Sequence, residues 1–139
     1  MRAARVVYLA FGLASLTVLC VAAGLTPSAA RLGTHTQLGL PACGFLSRTG
    51  WPCPSCGLTT SFALAIRGRF ADAAFVQPFG FLLFFALLAA IPFFLYRAAR
   101  PVELGRVFDV DRALTICKGA FGIYVGVWAF QLWRWGDRI

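Results

Sequence analysis

Hydrophobic and polar positions alternate along this chain in blocks rather than at short period. From Val6 to Ala30 there is no charge, and none again from Ala73 to Tyr96. A third block, Ala113 to Trp133, carries the single charge of Lys118. A helix rises ~1.5 Å per residue, so about 20 apolar residues cross the ~30 Å hydrocarbon core of a bilayer. The pattern therefore predicts transmembrane helices over 6–25, 78–96 and 113–133 within one membrane domain, 1–139. Pro27 stops the first, Pro78 suits the first turn of the second, and Pro92 should kink it. The second block has no polar face and reads as surrounded by lipid. Met1-Arg-Ala-Ala-Arg5 before an apolar run also looks like a signal peptide, with Ser28-Ala-Ala30 as a cleavage site. The apolar run exceeds the usual ~7–15 residues, which favours an uncleaved anchor.

Between the first two blocks the pattern changes. Leu58, Phe62, Ile66 and Phe70 recur every fourth position, one apolar stripe of a helix too short to cross a membrane. Gly68, with Arg67 and Arg69 beside it, marks its end. We expect a short interfacial or re-entrant helix there, preceded by a cysteine-bearing loop, the two together covering about 31–70. The fold class is thus all-α: three transmembrane helices plus that short helix. In the third block Gly119, Gly122 and Gly126 recur at a spacing that lets another helix approach, from the same chain or from a protein partner. Tyr124, Trp128, Trp133 and Trp135 follow, as in an interfacial aromatic belt.

Composition sharpens the class. Of 139 residues 60% are hydrophobic and 13% charged, against roughly 45–50% and about 25% for soluble domains. A soluble globule, a disordered chain and a disulfide miniprotein are excluded. The formal net charge is +8, yet the basic residues sit at the ends of apolar blocks, where they anchor helices at headgroups. The expected surroundings are a lipid bilayer, not nucleic acid. Lys and Arg divide seven to six between the two sides, which sets no orientation. The basic flank Arg2 and Arg5 decides it: the N-terminus in the cytoplasm of a multi-pass cell-membrane protein, the loop Thr26 to Gln77 outside.

The candidate chemistry is in the loop. Cys43 precedes Trp51-Pro-Cys53-Pro-Ser-Cys56-Gly57, which runs straight into the short helix. Three readings stand. In the first, the tight Cys-Pro-Ser-Cys-Gly knuckle holds zinc or iron, Gly57 leaving room for amides to face sulfur, with Cys43 as third ligand and His35 as fourth. His35 is the lone histidine, and a lone histidine in a Gly/Thr loop also reads as merely solvated. In the second, Cys53 and Cys56 at a helix start form a redox dithiol, although no strand-helix-strand context accompanies them. In the third, Cys43 pairs with one of the two and pins the loop. Cys20 and Cys117 lie inside spans and read as packing residues.

The order Cys53-Pro-Ser-Cys56-Gly-Leu-Thr-Thr60, then Arg67-Gly-Arg-Phe70, Ala71–Ala74 and Gln77-Pro78, resembles a family of short bacterial membrane proteins catalogued as domain of unknown function 2752. The likeness covers roughly Cys43 to Tyr96. Thr60 stands where that family has Arg, and Gln77 where it has Asn. The resemblance implies the three-span layout and no activity.

Nucleotide loops, a nucleophile elbow and a Ser/His/Asp set are missing. Asp72, Glu103, Asp109, Asp111 and Asp137 all lie outside the spans, so no carboxylate marks an ion path. The linker from Glu103 to Arg112 reads as a solvated connector. No enzyme activity is indicated. The sequence points to a non-enzymatic accessory subunit of a membrane complex or, alternatively, to a thiol-based metal-binding or redox membrane protein acting through Cys43, Cys53 and Cys56.

Overall fold

The computed structural model describes residues 2–100 and 110–136. The linker reading falls largely outside these, as do Glu103, Arg106, Asp109, Asp137 and Arg138. The chain is all-helical among the described residues: α1 Arg2–Gly24, a 3-10 turn Thr34–Leu38, α2 Gly44–Thr49, α3 Leu58–Ala65, α4 Phe70–Val76, α5 Pro78–Ala99 and α6 Val110–Gly136. Three of them, α1, α5 and α6, are long and apolar enough to cross a membrane, each extending a few residues beyond the span expected for it.

Helices α1 and α5 pack antiparallel. Both are apolar all round, so hydrophobicity cannot choose the buried face; size does. The buried positions of α1 are Ala4, Tyr8, Gly12, Ser15, Leu19 and Ala22, mostly small residues repeating every three to four. A Cβ on Gly12 would sit 3.5 Å from Phe94 Cβ, so α5 comes in close there. Tyr8 and Phe11 stack on the Phe94 ring at 6.4 and 5.5 Å. The expectation that α5 meets lipid on every side is therefore corrected: Phe84 and Ala98 are buried. Pro78 occupies the first turn, and helix α5 continues through Pro92.

Two arginines tie the ends of this pair. Arg5 Nε donates to the Ala98 carbonyl at 3.0 Å. Arg67 donates to Ala23 O at 3.0 Å and to Ala63 O at 2.7 Å. Each satisfies carbonyls that a helix C-terminus leaves without partners.

The main core lies at the Arg67 end, where Leu19 and Ala22 of α1, Phe62, Leu64 and Ala65 of α3, Ala73 of α4 and Phe84 of α5 meet. Helix α3 is the hub, buried from Thr60 to Ala65. It stops where the sequence indicated, because Gly68 takes φ +74°. Its N–H bonds Ala65 O and that of Arg69 bonds Leu64 O, the paired closure of a Schellman end. The four-residue stripe is consequently shared by two helices. Phe62 is buried, whereas Ile66, at the C-cap of α3, and Phe70, past the turn, are exposed.

Helix α6 attaches differently. Gln131 Nε2 donates to Val76 O at 3.2 Å and Arg134 Nη1 to Phe75 O at 2.7 Å, with the Arg134 guanidinium 3.7 Å above the Phe75 ring. Among the described residues none comes within 4 Å of a Cβ built on Gly119, Gly122 or Gly126. The half of our expectation that put another helix of this chain on that face is corrected. The close approach is made instead at Gly12, between α1 and α5.

Candidate metal centre

The loop between α1 and α3 is folded back onto the end of the helical pair. Gln37 brackets Thr26, its Oε1 accepting from Thr26 N at 3.0 Å and its Nε2 donating to Thr26 O at 2.6 Å. Thr34 Oγ1 accepts from Ser28 N at 3.0 Å and meets Thr60 Oγ1 at 2.7 Å. That buried pair anchors the loop to α3. Cys43 then caps α2, its carbonyl receiving Ser47 N at 3.0 Å, and Gly50 closes α2 at φ +72°.

The knuckle follows. Cys56 N bonds Cys53 O at 2.9 Å, and Leu58 N bonds Ser55 O at 3.1 Å. Gly57 then opens α3 at φ +87°, and a Cβ there would lie 2.9 Å from Val76 Cγ1 and 3.3 Å from Leu32 Cδ2. Backbone handedness and close packing on Val76 and Leu32 thus fix glycine at this position. We had assigned it to leaving room for amides around sulfur.

Gln77, fully buried, donates through Nε2 to Pro54 O at 3.2 Å, and its side-chain oxygen receives Gly80 N. One side chain therefore caps α5 and holds the middle of the knuckle. Ser61 Oγ lies between the carbonyls of Ala73 and Gln77, 2.9 and 3.2 Å away.

From the opposite side α6 grips the same segment. Trp128 Nε1 donates to Pro52 O at 3.1 Å and Trp135 Nε1 to Gly50 O at 3.0 Å. Tyr124 Oη meets Ser55 Oγ at 2.9 Å. Three of the aromatics we assigned to a lipid-facing belt are hydrogen-bonded to the cysteine loop, and Trp133 alone of the four is exposed on the outside.

This scaffold brings the thiols together. The Sγ atoms of Cys43, Cys53 and Cys56 all lie within 4.8 Å of one another, and those of Cys53 and Cys56 are 3.0 Å apart. Cys56 is buried; the other two are partly exposed, and all are free thiols. Cys20 and Cys117 are remote from the cluster, exposed on α1 and α6. The environments of the trio are unequal. The Leu46 amide beside Cys43 lowers its pKa to about 7 against the opposing effect of burial, helped by the neighbouring thiols and the Phe45 amide. Burial pushes the Cys56 thiol well above the ordinary range, and the Cys53 and Cys43 sulfurs add to the rise.

His35 lines the same cleft as the three thiols but is not one of the 4.8 Å group. Its Nε2 lies 3.2 Å from Pro41 O. A carbonyl only accepts, so Nε2 is the donor in this contact. Thr60, Gln77, Trp128 and Trp135 are the site-forming residues that sequence reasoning did not assign to the site. For Thr60 and Gln77 the signal was their departure from the family pattern. The two tryptophans act on backbone carbonyls, which carry no sequence signal.

Residues 43–96 match the family described as "Protein of unknown function (DUF2752)". No curated protein and no solved structure matches the chain.

Proposed function

For this segment of a family without assigned activity, we propose that Cys43, Cys53 and Cys56 hold one soft metal ion, zinc or iron, with His35 as the fourth donor. The convergence of three sulfurs within 4.8 Å carries the reading. Sulfurs at ~2.3 Å from a tetrahedral zinc stand about 3.8 Å apart, so an ion would spread Cys53 and Cys56 from 3.0 Å and hold Cys43 within the 4.8 Å that now bounds the group. Three thiolates and a neutral imidazole around a divalent ion leave a net charge of −1, a modest charge for a partly buried site. The His35 Nε2–H on Pro41 O is the outer hydrogen bond that metal-ligating histidines use to orient the ring. Closing the ligand set requires His35 to swing toward the sulfurs.

The test is the metal content of the full chain purified in mild detergent without chelator. About one zinc or iron per chain is expected, lost in a Cys53→Ser/Cys56→Ser double variant. His35→Ala should weaken retention more than the ~10–100-fold typical of losing an outer partner. A metal-free protein that takes up neither ion on addition overturns the reading.

A second reading rests on α6. Its glycine face is open and its apolar surface exposed, which supports a role as a non-enzymatic accessory subunit docked there by a partner. Proteins that co-purify with the parent and are lost from Gly122→Leu would support it. The orientation we favour places the N-terminus in the cytoplasm and the thiols outside. Impermeant maleimide on intact, reduced cells should then label Cys43 or Cys53, and labelling only after permeabilisation reverses it.

A further inference from the structure

The thiols open on a cleft of about 660 Å³. Leu32, Leu40, Leu46, Leu58 and Trp135 form much of its wall, and it is lined by no Asp, Glu, Lys or Arg. A charged substrate finds no counter-ion there. A second, almost wholly apolar groove of about 250 Å³ runs between α1 and α3, bounded by Thr17, Val18, Val21, Leu25 and Phe62. The two share Leu58 and Thr59. The groove lies along a helix long and apolar enough to span a membrane. The groove along α1 and the cleft that holds the sulfurs thus adjoin at these two residues.

In the cleft stand two thiols whose sulfurs are 3.0 Å apart. A vicinal dithiol gives up two electrons and two protons when it closes to a disulfide. The common class of bilayer solute that accepts two of each is a quinone. We propose that this cleft admits a lipid-soluble quinone and that Cys53 and Cys56 reduce it. Two S–H bonds break and one S–S bond forms. The quinone takes both electrons and both protons and leaves as the hydroquinone. Trp135 offers a flat apolar wall to the ring, and the Thr59 hydroxyl a hydrogen-bond donor to a ring carbonyl. This activity goes beyond the metal reading, and the two exclude each other in time, because a bound ion occupies the same sulfurs.

The experiment uses the full chain, reduced and metal-free, in lipid nanodiscs with decylubiquinone, whose ring has no free position for thiol addition. Expected are loss of quinone absorbance and of two titratable thiols per chain, both suppressed by prior zinc loading. Thr59→Trp, at the junction of groove and cleft, should slow the reaction about tenfold or more, and in Val18→Trp, outside the thiol cleft, oxidation by water-soluble diamide proceeds as in the parent. Val18→Trp, on the exposed face of α1, should slow it similarly and serves if Thr59→Trp misfolds. The proposal is overturned if decylubiquinone oxidises the folded chain no faster than the detergent-unfolded one. It is equally overturned if neither substitution slows a quinone reaction that diamide controls show to be intact. A chain that reduces quinone and retains no metal upholds this proposal and removes the metal reading; one that retains metal and, once stripped, ignores quinone does the reverse.

Discussion

Cys43 is the residue with the most to report in solution. With its pKa lowered to about 7 by the Leu46 amide and the nearby thiols, its thiolate fraction is small at pH 5.5 and dominant by pH 8.5. Alkylation by iodoacetamide, followed by peptide mass spectrometry, should therefore rise at Cys43 with a midpoint near neutrality. Cys56, buried and pushed upward, should stay unmodified over that range. Equal labelling of both would contradict the packing described. Gly57 is the second diagnostic residue. Gly57→Ala places a Cβ 2.9 Å from Val76 Cγ1 on a backbone of φ +87°. Strain and overpacking together should cost about 2–4 kcal/mol, read as a lowered unfolding midpoint in detergent. The need for glycine was plain in the Cys-x-x-Cys-Gly spacing; its cause was not, because Val76 is nineteen positions away in sequence.

Among the elements, the three long helices were legible because length and apolarity alone define a membrane-crossing segment. Their mutual faces were not. An apolar helix in an apolar setting gives no amphipathic signal, and the buried side of α1 is distinguished only by Ala4, Gly12, Ser15 and Ala22 being small. The thiol knuckle was legible as a turn before a helix, and the proximity of Cys43 followed from the short loop between them. Its support was hidden in Gln77, whose side chain joins the start of α5 to Pro54. Gln77→Ala removes the cap of α5 and frees the Pro54 carbonyl together. A loss of about 1–3 kcal/mol is expected, with faster exchange of amides near residues 54–57 measured by hydrogen–deuterium exchange. Gln77→Glu, which keeps the accepting oxygen but not the donor, should preserve the cap and lose the Pro54 bond.

On the scale of the molecule, the loop, the thiols and the core of α1, α3, α4 and α5 lie at one end of the helical bundle. Arg67 stands there as the shared terminus of α1 and α3, and Arg5 performs the same task for α5 at the far end. Arg67→Leu should therefore destabilise the thiol end in particular. Metal retention and the unfolding midpoint should fall together, whereas Arg5→Leu should lower the midpoint alone. The opposite pattern would place the coupling elsewhere. Leucine at Gly122 should leave the monomer's unfolding unchanged, since none of the described residues meets that face.

The way α6 is held has a further consequence. Gln131, Arg134, Trp128 and Trp135 all donate to main-chain oxygens, those of Val76, Phe75, Pro52 and Gly50. In these four hydrogen bonds recognition is written on one side only, in contrast to the Arg134–Phe75 and Tyr124–Ser55 contacts beside them. The helix must keep its donors, while the receiving segment is free to vary in side chain wherever its backbone path is kept. Saturation mutagenesis should find intolerance concentrated at Trp128 and Trp135, and at Phe75, whose ring carries the Arg134 guanidinium. An alignment that looked for paired changes would miss the four hydrogen bonds of this junction, although the two surfaces touch.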